Sequence, residues 1–180
     1  MSRIPMLPPT PADPRVRAMF DEVRAHGIEV PNLYRVLGQS PELFRAWLDF
    51  AWPLRLHART SRRLRELMIL RGAQVAKTTY EWVHHVPMAL AAGITQGEID
   101  ALAQWQASAL FTPAERSALQ LAEEVTIGPG ASAACMADLK AHFSDQDVIE
   151  LVLTASFYVC VGRFLSSVDV DLEPGYQKPW

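Results

Sequence analysis

Helix start and stop signals punctuate this chain at short intervals, and no stretch alternates apolar and polar residues in the manner of a strand; together these restrict it to helical folds. Thr95-Gln-Gly-Glu98 and Thr112-Pro113-Ala-Glu115 have the spacing of capping boxes, in which a hydroxyl and a carboxylate three residues apart satisfy each other's backbone amides. Ser40-Pro41 supplies an N-cap followed by a first-turn proline, Ser61 can cap a helix to about Ala76, and Ser144-Asp-Gln-Asp147 opens a long apolar helix ending near Val168. Gly27 and Gly93 stand where helices end, and Gly128-Pro129-Gly130 is a firm break. The reading is an all-α, single-domain helical bundle of about eight helices, with a proline-rich arm over 1–14, a helical domain over 15–172 and a tail over 173–180. The arm is expected to run extended over the surface or over a neighbouring subunit. Pro53 is expected to kink or end the helix begun at Pro41.

At 180 residues and 49% hydrophobic composition the chain can bury one substantial core. Its net charge of −3, from 17 basic and 20 acidic side chains, offers no basic stripe for phosphates and no polybasic membrane patch, so neither nucleic acid nor membrane is an expected partner. The apolar run from Glu150 to Arg163 is shorter than the roughly twenty residues a span requires and reads as a buried core helix. Prolines at positions 5, 8, 9, 11 and 14 exclude an N-terminal signal helix, and cytoplasmic residence is the default. Cys135 and Cys160 form neither a C-x-x-C pair nor part of a zinc pattern, and Cys160 falls in an apolar helix where a thiolate is disfavoured.

The helix from Ser61 carries Leu64, Leu67, Met68 and Val75 on one side and Ile69, Leu70 and Ala73 on the other, as expected of an element buried between others. Its charges Glu66 and Arg71 then need partners, with Arg71, Arg63 or a backbone amide available to Glu66. In the next helix, about Thr78 to Ala92, a spacing of 100° per residue puts Thr78, Glu81, Trp82, His85 and Ala89 on one stripe. A carboxylate and an imidazole among an indole and small apolar groups are costly unless paired or put to use, and burial tunes the affinity of such a pair for a proton. His84 points about 100° away from His85, which makes a two-histidine metal site geometrically poor.

The segment Arg63-Leu-Arg-Glu66-Leu-Met-Ile-Leu70-Arg71 through Glu81-Trp-Val-His-His85 and Ala92-Gly93-Ile94-Thr95 resembles the core of the carboxymuconolactone decarboxylase family, within the alkylhydroperoxidase D-like superfamily. The run Glu150 to Tyr158 and on to Arg163-Phe164 resembles the last helix of many members. In the peroxidase branch a glutamate precedes a C-x-x-C, and a histidine follows the second cysteine by four. Glu66 and His85 match that glutamate and histidine, while Thr78 and Glu81 stand where the cysteines would be. Without thiolates the resemblance does not extend to peroxide reduction. It favours instead the decarboxylase branch, with a glutamate four before the histidine.

The resemblance thus implies a cofactor-independent acid/base enzyme acting on a small carboxylated lactone or related organic acid, by decarboxylation or isomerisation, without a metal. His85 is the expected general acid or base, with Glu81 setting its tautomer and charge. Glu66 or Thr78 is expected to orient the substrate or a water, with orientation of His85 as the other reading of Glu66. Thr78, Tyr80, Trp82, Tyr158 and Arg163 are the candidate substrate contacts. For Thr78 the first reading is a helix cap. Tyr80 and Trp82 suit the core as well, and Arg163 could pair with Glu150 or Asp169 or anchor a substrate carboxylate. A homo-oligomer, trimer or hexamer, is also implied. The alternatives are an alkylhydroperoxidase-like antioxidant protein and a non-catalytic oligomer that binds a small ligand.

Overall fold

The capping signals fall where helices begin. In a computed structural model that describes residues 2–179, nine α-helices and one 3-10 turn account for the regular structure, with no strand among the described residues. They are α1 (Pro14–Ala25), α2 (Asn32–Leu37), α3 (Pro41–Leu56), α4 (Arg62–Ala76), α5 (Thr79–Ala91), α6 (Gln96–Ala101), the 3-10 turn Leu102–Gln104, α7 (Pro113–Ile127), α8 (Ala133–His142) and α9 (Asp145–Val168). The chain divides into two compact units, one built from residues up to His57 with Leu165–Gln177, the other from Ala58–Phe164 with the residues from Lys178.

In the first unit Val16, Met19, Phe20 and Val23 line the buried face of α1, and the Phe20 ring meets Phe44 of α3 edge-on at 6.0 Å. Pro53 does not end α3; the helix runs on through it to Leu56. α2 is an element the sequence reading lacks. It is six residues long and has no side-chain cap, so it leaves almost no local signal. The proline-rich arm lies on its own chain. The Leu7 amide donates to the Arg35 carbonyl at 3.1 Å, Arg35 Nε returns a bond to the Leu7 carbonyl at 2.7 Å, and the Arg3 amide reaches Val168 O at 2.8 Å.

The second unit is organised around α4. Ser61 caps it by accepting from the Leu64 amide at 3.2 Å, and eight of its fifteen residues are buried. Leu64 and Met68 enter one core cluster with Leu121 of α7, Leu139 of α8 and Leu151 of α9. Leu67 and Leu70 enter a second with Ala89, Ile94, Ile99, Leu102 and Leu119, so Leu67 belongs with Leu70 rather than with Met68. Each such leucine contributes about 1.5–3 kcal/mol by leaving water, which is what holds α4 with polar residues at its centre. The same helix binds the two capping boxes together. Arg63 donates from Nε to Glu115 at 2.8 Å and pairs through its NH2 group with Glu98, the two carboxylates that close the boxes of α7 and α6. Arg71 pairs with Glu123, so neither arginine is left to Glu66.

α9 is 24 residues long, by length and composition enough to cross a membrane. Val148, Leu151, Ala155 and Val161 are buried, whereas Ile149 is 60% and Leu153 42% exposed. The helix spans the residues expected of it, but the expected core helix is not buried all round and turns apolar residues outward.

Candidate active site

Glu66 lies at the middle of buried α4 with no exposed surface. A carboxylate there requires compensation, and it receives it on both oxygens. Arg62, one helical turn earlier, pairs with Oε1, and His85 Nδ1 stands 2.8 Å from Oε2. An ionised carboxylate only accepts, so Nδ1 carries the hydrogen, and in the neutral imidazole Nε2 then carries the lone pair. The Tyr158 ring on α9 packs against the imidazole nearly perpendicular to it, at 5.0 Å between centroids. The imidazole is thereby fixed in tautomer and orientation, the arrangement that prepares a histidine to accept a proton at Nε2. Sequence reasoning gave the task of setting this tautomer to Glu81, with orientation of His85 as one reading of Glu66. The structure gives it to Glu66, because the Glu81 side chain turns back to the start of its own helix.

There Thr78 Oγ1 donates to Glu81 Oε2 at 2.5 Å. Thr78 makes no side-chain cap to α5, so its hydroxyl serves the carboxyl and not the helix end. Glu81 is buried, and among the described residues nothing hydrogen-bonds its Oε1. Burial pushes its pKa up to about 8, the Thr78 hydrogen bond opposing only in part. At neutral pH Glu81 is therefore a neutral carboxylic acid. Since Oε2 accepts from Thr78, the acid hydrogen belongs on Oε1. Gly162 of α9 makes the close approach possible, because a Cβ there would lie 2.5 Å from Oε2 and 2.8 Å from Thr78 Cγ2.

The remaining candidates divide. Tyr158 joins the histidine. Tyr80 stacks on His84 at 4.1 Å, and His84 Nδ1 is 2.8 Å from the Tyr80 carbonyl, a local arrangement directed away from His85. Trp82 packs against the second core cluster. Arg163 is exposed on α9, and Glu150, one of its expected partners, accepts instead from the amides of Arg59 and Thr60 at 3.1 and 2.9 Å. Three residues of the site escaped sequence reasoning. Arg62 could have been found from its i,i+4 relation to Glu66. Gly162 had a signal in being a lone glycine inside an apolar helix. Arg65, buried on α4 with its pKa lowered by burial and by Arg62, had none.

Cys135 is buried, and burial raises its thiol to about 11. Cys160 is exposed on the outer side of α9, contrary to the expectation from its apolar neighbours. Among the described residues no three of His, Cys, Asp and Glu are grouped to hold a metal ion.

A family model, the carboxymuconolactone decarboxylase family, matches residues 41–124, which include Arg62, Glu66, Thr78, Glu81 and His85. Comparison with curated proteins gives no match. Among solved structures, an alkylhydroperoxidase AhpD core protein from Ralstonia eutropha, described as an uncharacterized peroxidase-related protein, superposes with a TM-score of 0.83 at 21% identity, covering 96% of this chain and 93% of its own. An uncharacterized peroxidase-related protein from a Silicibacter species gives 0.79 at 19% identity, over 96% and 94%. A variant of the debrominase Bmp8 in complex with 2,3,4-tribromopyrrole gives 0.77 at 19% identity, over 89% and 87%. Residues 41–124 thus match the carboxymuconolactone decarboxylase family model, within an all-helical fold like that of an alkylhydroperoxidase AhpD core protein.

Proposed function

We propose that the chain is a cofactor-independent acid/base enzyme that acts on a small carboxylated lactone or related organic acid, by decarboxylation or by proton-transfer isomerisation. The observation that carries this reading is the pairing of opposite proton-transfer roles one turn apart on α5. His85 is held by Glu66 with Nε2 as acceptor, and Glu81 is kept neutral with its acid hydrogen uncommitted. An imidazole oriented by a buried carboxylate, one turn from a carboxyl that burial keeps protonated, is the arrangement of a base and an acid in one site.

In isomerisation, Nε2 of His85 removes a proton from the carbon next to a carbonyl and returns it at a second carbon. Glu66 stabilises the imidazolium formed in between, as a buried carboxylate does for a catalytic histidine. Glu81 donates its Oε1 hydrogen to the carbonyl oxygen on which negative charge grows. In decarboxylation, the carbon–carbon bond to the carboxylate breaks, carbon dioxide leaves, and the electron pair is delocalised into that same carbonyl. Nε2 of His85 takes a proton from water and delivers it to that carbon, returning to the neutral imidazole, while the hydroxide left behind combines with the carbon dioxide as bicarbonate. Arg65 and Arg62 lie beside Glu66 and supply positive charge that favours an anionic substrate. A ring compound of the size of 2,3,4-tribromopyrrole in the debrominase neighbour also supports a compact ligand.

The test is carbon dioxide release and ultraviolet change across a panel of carboxylated lactones and β-keto acids, with peroxide reduction in parallel. His85→Ala is expected to lower kcat by about 10²–10⁴-fold on any acid turned over by the wild type. Folded His85→Ala and Glu81→Gln proteins that keep wild-type turnover would defeat the reading. Peroxide consumption abolished by thiol alkylation would favour the antioxidant alternative.

A further inference from the structure

Glycine is among the poorest residues for a helix interior, yet Gly162 is buried within α9, at the point where that helix crosses the start of α5. The space a side chain would need is already filled. A Cβ at 162 would meet Glu81 Oε2 at 2.5 Å, Thr78 Cγ2 at 2.8 Å and Glu81 Cδ at 3.4 Å, the first two closer than real methyl contacts come. Oε2 is also the atom that accepts the Thr78 hydroxyl. Three elements therefore meet on one carboxyl: the α5 backbone that bears it, the threonine just before that helix, and the bare α9 backbone.

Resting on the acid/base reading above, we propose that Gly162 is a positioning residue: its missing side chain lets α9 close over the Glu81 carboxyl, holding it against Thr78 and away from water so that it serves as the proton donor of the site. Gly162 touches no substrate in this account and acts through Glu81. Other titratable or charged groups lie on the elements around this carboxyl. On α5 there is His85, on α4 Glu66, Arg62 and Arg65, and on α9 Tyr158 and Arg163. Burial and the Thr78 hydroxyl are nevertheless what set its proton affinity. Glu66, Arg62 and His85 are engaged with one another. Any group added at 162 drives the carboxyl out of its seat, breaks the Thr78 hydrogen bond and admits water.

The experiment is a carboxyl ¹³C NMR titration of glutamate-labelled protein, the Glu81 signal assigned by its loss in Glu81→Gln. Wild type is expected to titrate near 8. In Gly162→Ala the midpoint is expected to fall by about one pH unit or more, toward that of an exposed glutamate. Thr78→Ser/Gly162→Ala serves as the second variant. It removes the methyl that the new side chain would also strike and leaves the hydroxyl, so only the carboxyl has to move. A folded protein in either background with the Glu81 midpoint unchanged would overturn the proposal. The titration needs no substrate, which separates the two levels of the account. A high midpoint that shifts in Gly162→Ala, alongside wild-type turnover in Glu81→Gln, would uphold the positioning of the carboxyl but remove Glu81 as the donor, and with it the role proposed for Gly162. An unshifted midpoint with turnover lost in Glu81→Gln would uphold the acid and overturn Gly162 alone.

Discussion

His85 and Glu81 are four residues apart on one helix, and what separates their chemistry is which neighbour each side chain reaches. The imidazole crosses to Glu66 on α4, and the carboxyl turns back to Thr78. ¹⁵N NMR of the neutral imidazole is expected to report hydrogen on Nδ1; in Glu66→Gln that preference should weaken, since the amide can present either a donor or an acceptor. For Glu81 the consequence is thermodynamic. Its folded pKa of about 8 lies above the ordinary glutamate value of 4.5, so the native state holds a proton that the unfolded chain releases between those values. Its contribution to stability is full below pH 4.5 and is lost as pH rises to about 8, at no more than about 1.4 kcal/mol per pH unit. Denaturant unfolding of Glu81→Gln across that window should show a flatter profile than wild type. Sequence spacing placed Glu81 and His85 on one stripe, but it could not show that the partner of His85 comes from nineteen residues away; that pairing depends on how α4 packs against α5.

α4 was legible because both of its sides are apolar, and the capping boxes were legible because their partners lie three residues apart. The bonds between these elements were not. Arg63 draws Glu98 well below the ordinary carboxylate range, to about 2, and Glu98 also accepts from the Thr95 amide. This contribution is present above pH 4.5 and disappears as pH falls toward 2. Arg63→Gln is therefore expected to lower stability by about 1–3 kcal/mol at neutral pH and to reduce the loss on acidification, as measured by urea unfolding at a series of pH values. Ser61→Ala should cost about 1 kcal/mol through the α4 cap. α2 escaped notice for the opposite reason: six residues without a side-chain cap carry too little periodicity to register.

At the scale of the whole molecule, the reading of an all-helical chain holds, and its likeness to alkylhydroperoxidase D-like structures spans nearly its full length. The outward side of α9 was not foreseen, because a run of apolar residues does not reveal which of them the fold leaves uncovered. Ile149 and Leu153, together with Leu43 of α3 at 69% exposure, are large apolar groups in water. A homo-oligomer, trimer or hexamer, is the proposal that accounts for them. Sedimentation equilibrium should give a multiple of 20.1 kDa, and Leu153→Glu should lower that mass. A monomeric wild type would remove this proposal without touching the site. The central claim, that Glu66 acts through His85 while Glu81 acts beside it, is tested most directly by a double-mutant cycle in kcat on an acid that the wild type consumes. Glu66→Gln is predicted to lower kcat in the wild-type background and to have no further effect once His85 is alanine, because residues that act as a unit are not additive. An equal loss in both backgrounds would contradict the account.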